Sequence, residues 1–271
     1  MAHAVISLFV ALFAWWIGTG VILLAVRRAD LAGHGAPVGL VFAGLPFLLF
    51  GLVGVAVAAG DATIWGLYGG FFAALALWGW IELTFMSGVI TGPNRAPLPA
   101  GAQGLPRFWA AWWAVAWHEL LLLAGFVYVL WVSSGAVNAM APWTFGVLYA
   151  ARILAKLNLF LGVPGINYEA VPRTLAHIPS YFRQGDPSWL FPISIIVLSM
   201  ATALWVSRLA AATGPEEAVT FGLLSALTGL ALIEHWMMLL PLADTKLWRW
   251  LMPPRQEPRP TPLNRGPQEQ V

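Results

Sequence analysis

Seven apolar runs, each about as long as a membrane span, decide what this chain can fold into. They cover residues 4–26, 37–59, 63–89, 108–133, 142–161, 189–212 and 218–240. A spanning helix needs about 20 mostly apolar residues, because without water every backbone N–H and C=O must be satisfied inside the segment. Seven such runs in 271 residues leave almost nothing for a soluble core. Hydrophobic residues make up 59% of the chain and charged ones 10%, against about a quarter charged in an average soluble domain. The expectation is an all-α, polytopic membrane bundle of seven transmembrane helices over residues 1–252. The third run is long enough to tilt, and the fifth is short and carries Arg152 and Lys156. Residues 253–271 hold six prolines among polar and basic neighbours and read as a disordered cytoplasmic tail.

Charge sets the orientation. Only His3 precedes the first run, while Arg27 and Arg28 follow it, which is the reverse of a cleaved signal peptide. Alternating spans place thirteen of the fourteen Lys and Arg residues on one side or in the adjacent half of the membrane, Arg208 being the exception. Such a bias predicts a periplasmic N-terminus and a cytoplasmic C-terminus. With no cysteine, thiolate zinc sites, iron–sulfur clusters and disulfides are excluded. No dense basic patch and no phosphate-loop glycine pattern is present, so nucleic acid is not an expected partner and the lipid bilayer is.

Two connections are long enough to have a role. The first contains Ile90-Thr91-Gly92-Pro93-Asn94-Arg95, which puts Asn94 and Arg95 in a cytoplasmic loop. The second carries Leu175, Ile178, Tyr181 and Phe182 among Arg173, His177 and Arg183, and reads as a short helix lying in the inner leaflet, with an irregular loop as the alternative. Trp248 and Trp250 flank Arg249 as an interface anchor. Gly66 and Gly70 form a small-xxx-small pattern suited to close helix packing or dimerisation.

Ionisable groups inside spans cost roughly 2.5–3.5 kcal/mol each on insertion scales, so each needs a reason. Here they are Glu82, His118, Glu119, Arg152, Lys156, Glu234 and His235, joined by the polar Asn158. At about 1.5 Å rise per residue, all fall in the same half of the membrane although their helices alternate in direction. One buried cluster opening to the cytoplasm follows. Its three glutamates against Arg152 and Lys156 leave a charge of −1 with neutral histidines, which a proton, a histidinium or a cation would balance. Three chemistries fit these residue types. His118, His235 and Glu234 are candidate metal ligands, although no HxxxH or ExxH spacing is present. A histidine is a candidate axial ligand for a tetrapyrrole. The glutamates are candidates for a proton or substrate path. No catalytic signature is visible, so an enzyme is the less favoured reading. The remaining alternative is that the ion pairs only lock helices together, in an interaction scaffold.

Several strings resemble a known family: Trp80-Ile81-Glu82-Leu83, Ile90 to Arg95, Trp117-His118-Glu119, Ala151 to Asn167, Trp189-Leu190-Phe191-Pro192, and Glu234-His235-Trp236-Met237 leading to Leu247-Trp248-Arg249-Trp250. Together they resemble the photosynthetic complex assembly proteins (PuhE-like) of anoxygenic phototrophic bacteria, over nearly the whole chain to about residue 252. The resemblance implies an inner, cytoplasmic or intracytoplasmic photosynthetic membrane. It also implies a role in building reaction-centre and light-harvesting complexes or in bacteriochlorophyll supply. Partners would be subunits of those complexes or pigment-synthesis enzymes. On that reading the ligand is bacteriochlorophyll or a tetrapyrrole precursor, with His118 or His235 as axial ligand. Glu82, Glu119, Glu234, Arg152, Lys156 and Asn158 would hold the histidines and the ligand's polar groups.

Overall fold

The computed structural model describes residues 1–33, 35–166 and 171–240. Among these residues the protein is all-helical, with eight α-helices forming seven segments long and apolar enough to cross a membrane. The helices are α1 (Ala2–Ala32), α2 (Ala36–Ala43), α3 (Leu45–Ala59), α4 (Ile64–Met86), α5 (Gly104–Val132), α6 (Met140–Leu161), α7 (Leu190–Ala210) and α8 (Pro215–Met237). The tail over 253–271 and the Trp248–Trp250 anchor lie outside the described residues.

The second run is two helices, not one. Pro46 has no N–H to return to Phe42, so the helical ladder breaks at Gly44. Beside the break the Trp80 indole N–H donates to the Val41 carbonyl at 3.2 Å. The third run ends at Met86, earlier than its apolar stretch, because Ser87 and Gly88 turn the chain back. At the other end of α4, Thr63 caps the helix by accepting from the Gly66 N–H at 3.3 Å, and its own amide donates to Asp61 at 2.9 Å. The Thr63 side chain, and then its backbone N–H, hold the Asp61 carboxyl below its ordinary range by hydrogen bonding.

α4 and α8 are the most buried spans and form the axis of the bundle. α3 runs along α4, α1 and α7 flank α8, and α6 bridges α4, α5 and α8. Without a hydrophobic drive between helices in lipid, close approach relies on small residues. A Cβ on Gly51 would lie 2.7 Å from the Leu77 amide nitrogen, so the backbones of α3 and α4 approach closely there. Gly70 faces Met140 and Ala141 of α6, whereas Gly66 lies against Asp61 of its own turn. The pair that suggested a dimer face is therefore used inside the chain. Replacing Gly51 by leucine is expected to destabilise the detergent-solubilised protein by about 1–3 kcal/mol, measured as a lowered melting temperature.

The outer surface is apolar, with Phe9, Phe13, Phe47, Val57 and Met200 exposed along the spans. Exposed tryptophans mark both ends: Trp65, Trp131 and Trp143 at one, Trp109 and Trp189 at the other. Such girdles sit at the two water interfaces of a membrane.

Candidate functional site

The end of the bundle that holds the Trp109 and Trp189 girdle is closed by two loops. After α4, residues 87–94 turn back toward the bundle and lie on α5. The Thr91 carbonyl accepts from the His118 N–H at 2.9 Å, and the Asn94 N–H donates to Trp113 at 3.1 Å. Gly92 sits flush on the helix, where a Cβ would collide with the backbone of Trp113 and Ala114. Thr91 is buried. A helix amide pointing sideways to a foreign carbonyl is a local interruption of the α5 ladder.

The second loop carries 3-10 turns at Arg173–Leu175 and Ile178–Tyr181. Leu175, Ile178 and Tyr181 are buried against Phe85 and Ala114, so this segment plugs the bundle as short 3-10 turns and not as one continuous helix. The loops are stitched together. Asn94 Nδ2 donates to Ala110 (3.2 Å) and to the Tyr181 hydroxyl (2.9 Å), and that hydroxyl donates to the Ala96 carbonyl at 2.7 Å. Arg107 donates to the carbonyls of Phe160 (2.6 Å) and Tyr181 (3.0 Å), with its guanidinium 4.0 Å above the Phe160 ring. Arg95 donates to the Gly88 carbonyl at 3.1 Å.

Beneath this plug lies the first polar group. Arg152 of α6 donates to Glu82 of α4 at 2.8 Å, and Lys156 bonds to Glu119 of α5. Lys156 also lies 5.6 Å above the Phe85 ring. His118 is fully buried and stacked on Phe85 at 4.3 Å. Its Nε2 lies 3.8 Å from Glu82 Oε1, too far for a hydrogen bond. Both His118 ring nitrogens, Glu82 Oε1 and Arg152 Nε are buried without a partner. Two carboxylates thus meet two cations one to one. Glu234 is exposed near the end of α8, so it adds no net charge here. The charge of −1 expected from three clustered glutamates does not arise.

A second polar group sits elsewhere. Ala151 of α6, Leu198 of α7 and Ala231 of α8 pack in one apolar cluster. About one to two turns toward the plugged end, Asn158, Ser194 and His235 follow on the same three helices. Asn158 Nδ2 donates to Ser194 at 2.9 Å, and Ser194 donates to Leu190 at 3.0 Å. His235 Nδ1 donates to the Ala231 carbonyl at 2.8 Å. That bond fixes the tautomer and leaves Nε2 as a lone pair. His235 Nε2 and Asn158 Oδ1 are both buried without a partner.

The sequence-predicted residues therefore divide. Glu82, His118, Glu119, Arg152 and Lys156 come together, Asn158 bonds across to α7, and His235 makes its own bond on α8. Among the described residues, no three His, Asp or Glu side chains gather as a metal site, His118, His235 and Glu234 included. Phe85, Thr91, Tyr181 and Arg107 complete this end of the bundle, and nothing in the spacing of their residue types marks them as part of a site. The Gly92-Pro93 pair inside a long connection was the available signal for a close backbone approach.

Residues 1–259 match the model of a family described as protein of unknown function DUF3623. A Rhodobacter capsulatus protein is 44% identical over 250 residues, spanning 92% of this chain and 91% of the relative. Its name is "uncharacterized 30.4 kDa protein in puhA 5′ region". No solved structure matches the chain.

Proposed function

The chain belongs to the DUF3623 family, and we propose that it assists photosynthetic complex assembly in the bacterial inner membrane by handling a tetrapyrrole pigment or precursor at His235. The relative named for the region 5′ of puhA supports a photosynthesis-related role. The positive-charge bias supports a periplasmic N-terminus, with the plugged end facing the cytoplasm.

The observation that carries the assignment is the His235 imidazole. Histidines that hold a metal commonly donate the second ring N–H to a carbonyl, which orients the ring and raises its basicity. His235 does this with Ala231 and keeps a buried, unpartnered Nε2. The central metal of a tetrapyrrole supplies a Lewis-acid position that takes such a lone pair. His118 fits the role less well, because Glu82 faces its Nε2 edge and Phe85 covers its ring face. The Glu82–Arg152 and Glu119–Lys156 pairs serve as locks that fix α4, α5 and α6.

Purification in mild detergent from a pigment-making host tests this through the absorption spectrum. Wild type and His118→Ala should carry a tetrapyrrole band, and a folded His235→Ala should lose most of it. A band of equal strength in His235→Ala would overturn the assignment. A colourless wild type would overturn pigment handling and leave an interaction scaffold held by the ion pairs.

A further inference from the structure

His118 is a buried titratable group that the pigment reading at His235 leaves unused, and three parts of the plugged end meet on it. Its backbone N–H donates to the Thr91 carbonyl at 2.9 Å, which ties the loop over residues 87–94 to α5 at this residue. Its ring stacks 4.3 Å from that of Phe85, which packs with Leu175, Ile178 and Tyr181 of the second loop. Its Nε2 faces Glu82 Oε1 at 3.8 Å, and neither atom has a hydrogen bond. The side chain is fully buried. A site closed in this way has no room for a molecule, but a proton needs none.

The charges around the ring are already matched. Glu82 of α4 pairs with Arg152 of α6 at 2.8 Å, and Glu119 of α5 pairs with Lys156 of α6. Tyr149 of α6 lies near Glu119. Residues 87–94 and α3 bring no ionisable group. From the second loop Tyr181 packs here, its hydroxyl engaged with Asn94 and Ala96. A protonated His118 would thus be a fifth charge with no anion of its own, shut off from water, where an unpaired charge is strongly disfavoured. Sharing Glu82 with Arg152 meets a second obstacle. Closing 3.8 Å to a hydrogen bond takes the ring about 1 Å away from its stack on Phe85. Lifting residues 87–94 off α5 would admit water and remove both penalties.

We infer that His118 is a proton-operated latch on the plug: a proton taken from the water at this end favours the state in which residues 87–94 have lifted off α5. The seated loop needs the neutral ring, whereas the lifted loop accepts either form. By linkage, seating is complete at high pH and weakens as pH falls through the ordinary imidazole range, about 6–7. One N–H bond forms on uptake, and the proton returns to water when the loop reseats. The inference is independent of the pigment reading at His235.

The chain has no cysteine, so a single introduced thiol can report on the loop. Thr91→Cys suits this, because Thr91 is 1% exposed and ties His118 through its carbonyl, not its side chain. Its alkylation rate is measured in the full-length chain purified in mild detergent. That rate is divided by the rate for Ser134→Cys, an exposed position at the opposite end, which cancels the pH dependence of the thiol itself. With His118 present the ratio should rise about tenfold between about pH 7.5 and about pH 5.5. In His118→Gln, and in His118→Phe, which keeps a ring against Phe85, it should stay flat at the high-pH level. His177→Gln removes the histidine of the second loop and should keep the rise. A flat ratio with His118 present overturns the inference, as does a rise that persists in either folded His118 variant or vanishes in a folded His177→Gln.

Discussion

Gly92→Ala should cost this protein about 3 kcal/mol or more, as much as a single methyl group can. The new Cβ would meet the Trp113 carbonyl oxygen, with the Ala114 carbonyl carbon at 2.6 Å and its oxygen at 2.8 Å. These are helix backbone atoms, which cannot rotate aside as a side chain would. The loop must lift instead, breaking the bonds from His118 to Thr91 and from Asn94 to Trp113 and Ala110. Lifting it also uncovers Phe85 and the apolar residues of the second loop. Thermal unfolding in detergent should show the loss, and limited proteolysis should cut between residues 95 and 103 in the variant first. An unchanged melting temperature would mean that the loop is not seated on α5.

Arg152→Ala is the second large effect. Removing one partner of a buried ion pair leaves the other charged and unpaired, which costs about 3–5 kcal/mol. The Glu82 side chain is only 11% exposed, so its carboxylate would be stranded beside His118. Arg152 is 34% exposed, which places the expected loss near the lower end, about 3 kcal/mol. The double variant Arg152→Ala/Glu82→Gln, compared with wild type and with each single variant, removes both charges and should recover most of that loss. A denaturation cycle over the four proteins isolates the pair energy. A double variant no more stable than Arg152→Ala would show that the carboxylate is not the source of the cost.

Span length made the seven apolar segments legible, and Glu82, Glu119, Arg152 and Lys156, which the depth argument put together, form two ion pairs across α4, α5 and α6. What depth could not supply was rotation. Neighbours on a helix diverge by about 100°, so one rise calculation put Glu234 and His235 together although one is exposed and the other buried. Asn158 and Lys156 separate for the same reason, one facing α7 and the other α5. The loop over α5 was hidden differently. Its docking depends on backbone carbonyls of Ala110 and Trp113, which no side-chain pattern encodes. Only the bare Gly92 hinted that another main chain passes close by.

The seam between α1 and α8 bears on how the protein is made. Ser7 donates to the Ala4 carbonyl and reaches Ala218 at 3.4 Å, and Gly222 is pressed against it with no room for a side chain. The Ser7 and Ala218 partners are 211 residues apart. At about 5–20 residues per second, a ribosome needs on the order of 10–40 s to deliver the second after the first. During that interval the first helix waits in the bilayer with its matching face unclaimed. Closing the α1–α8 seam is thus a late event in synthesis, and a chain stalled before α8 would offer that face to the insertion machinery or to another nascent helix.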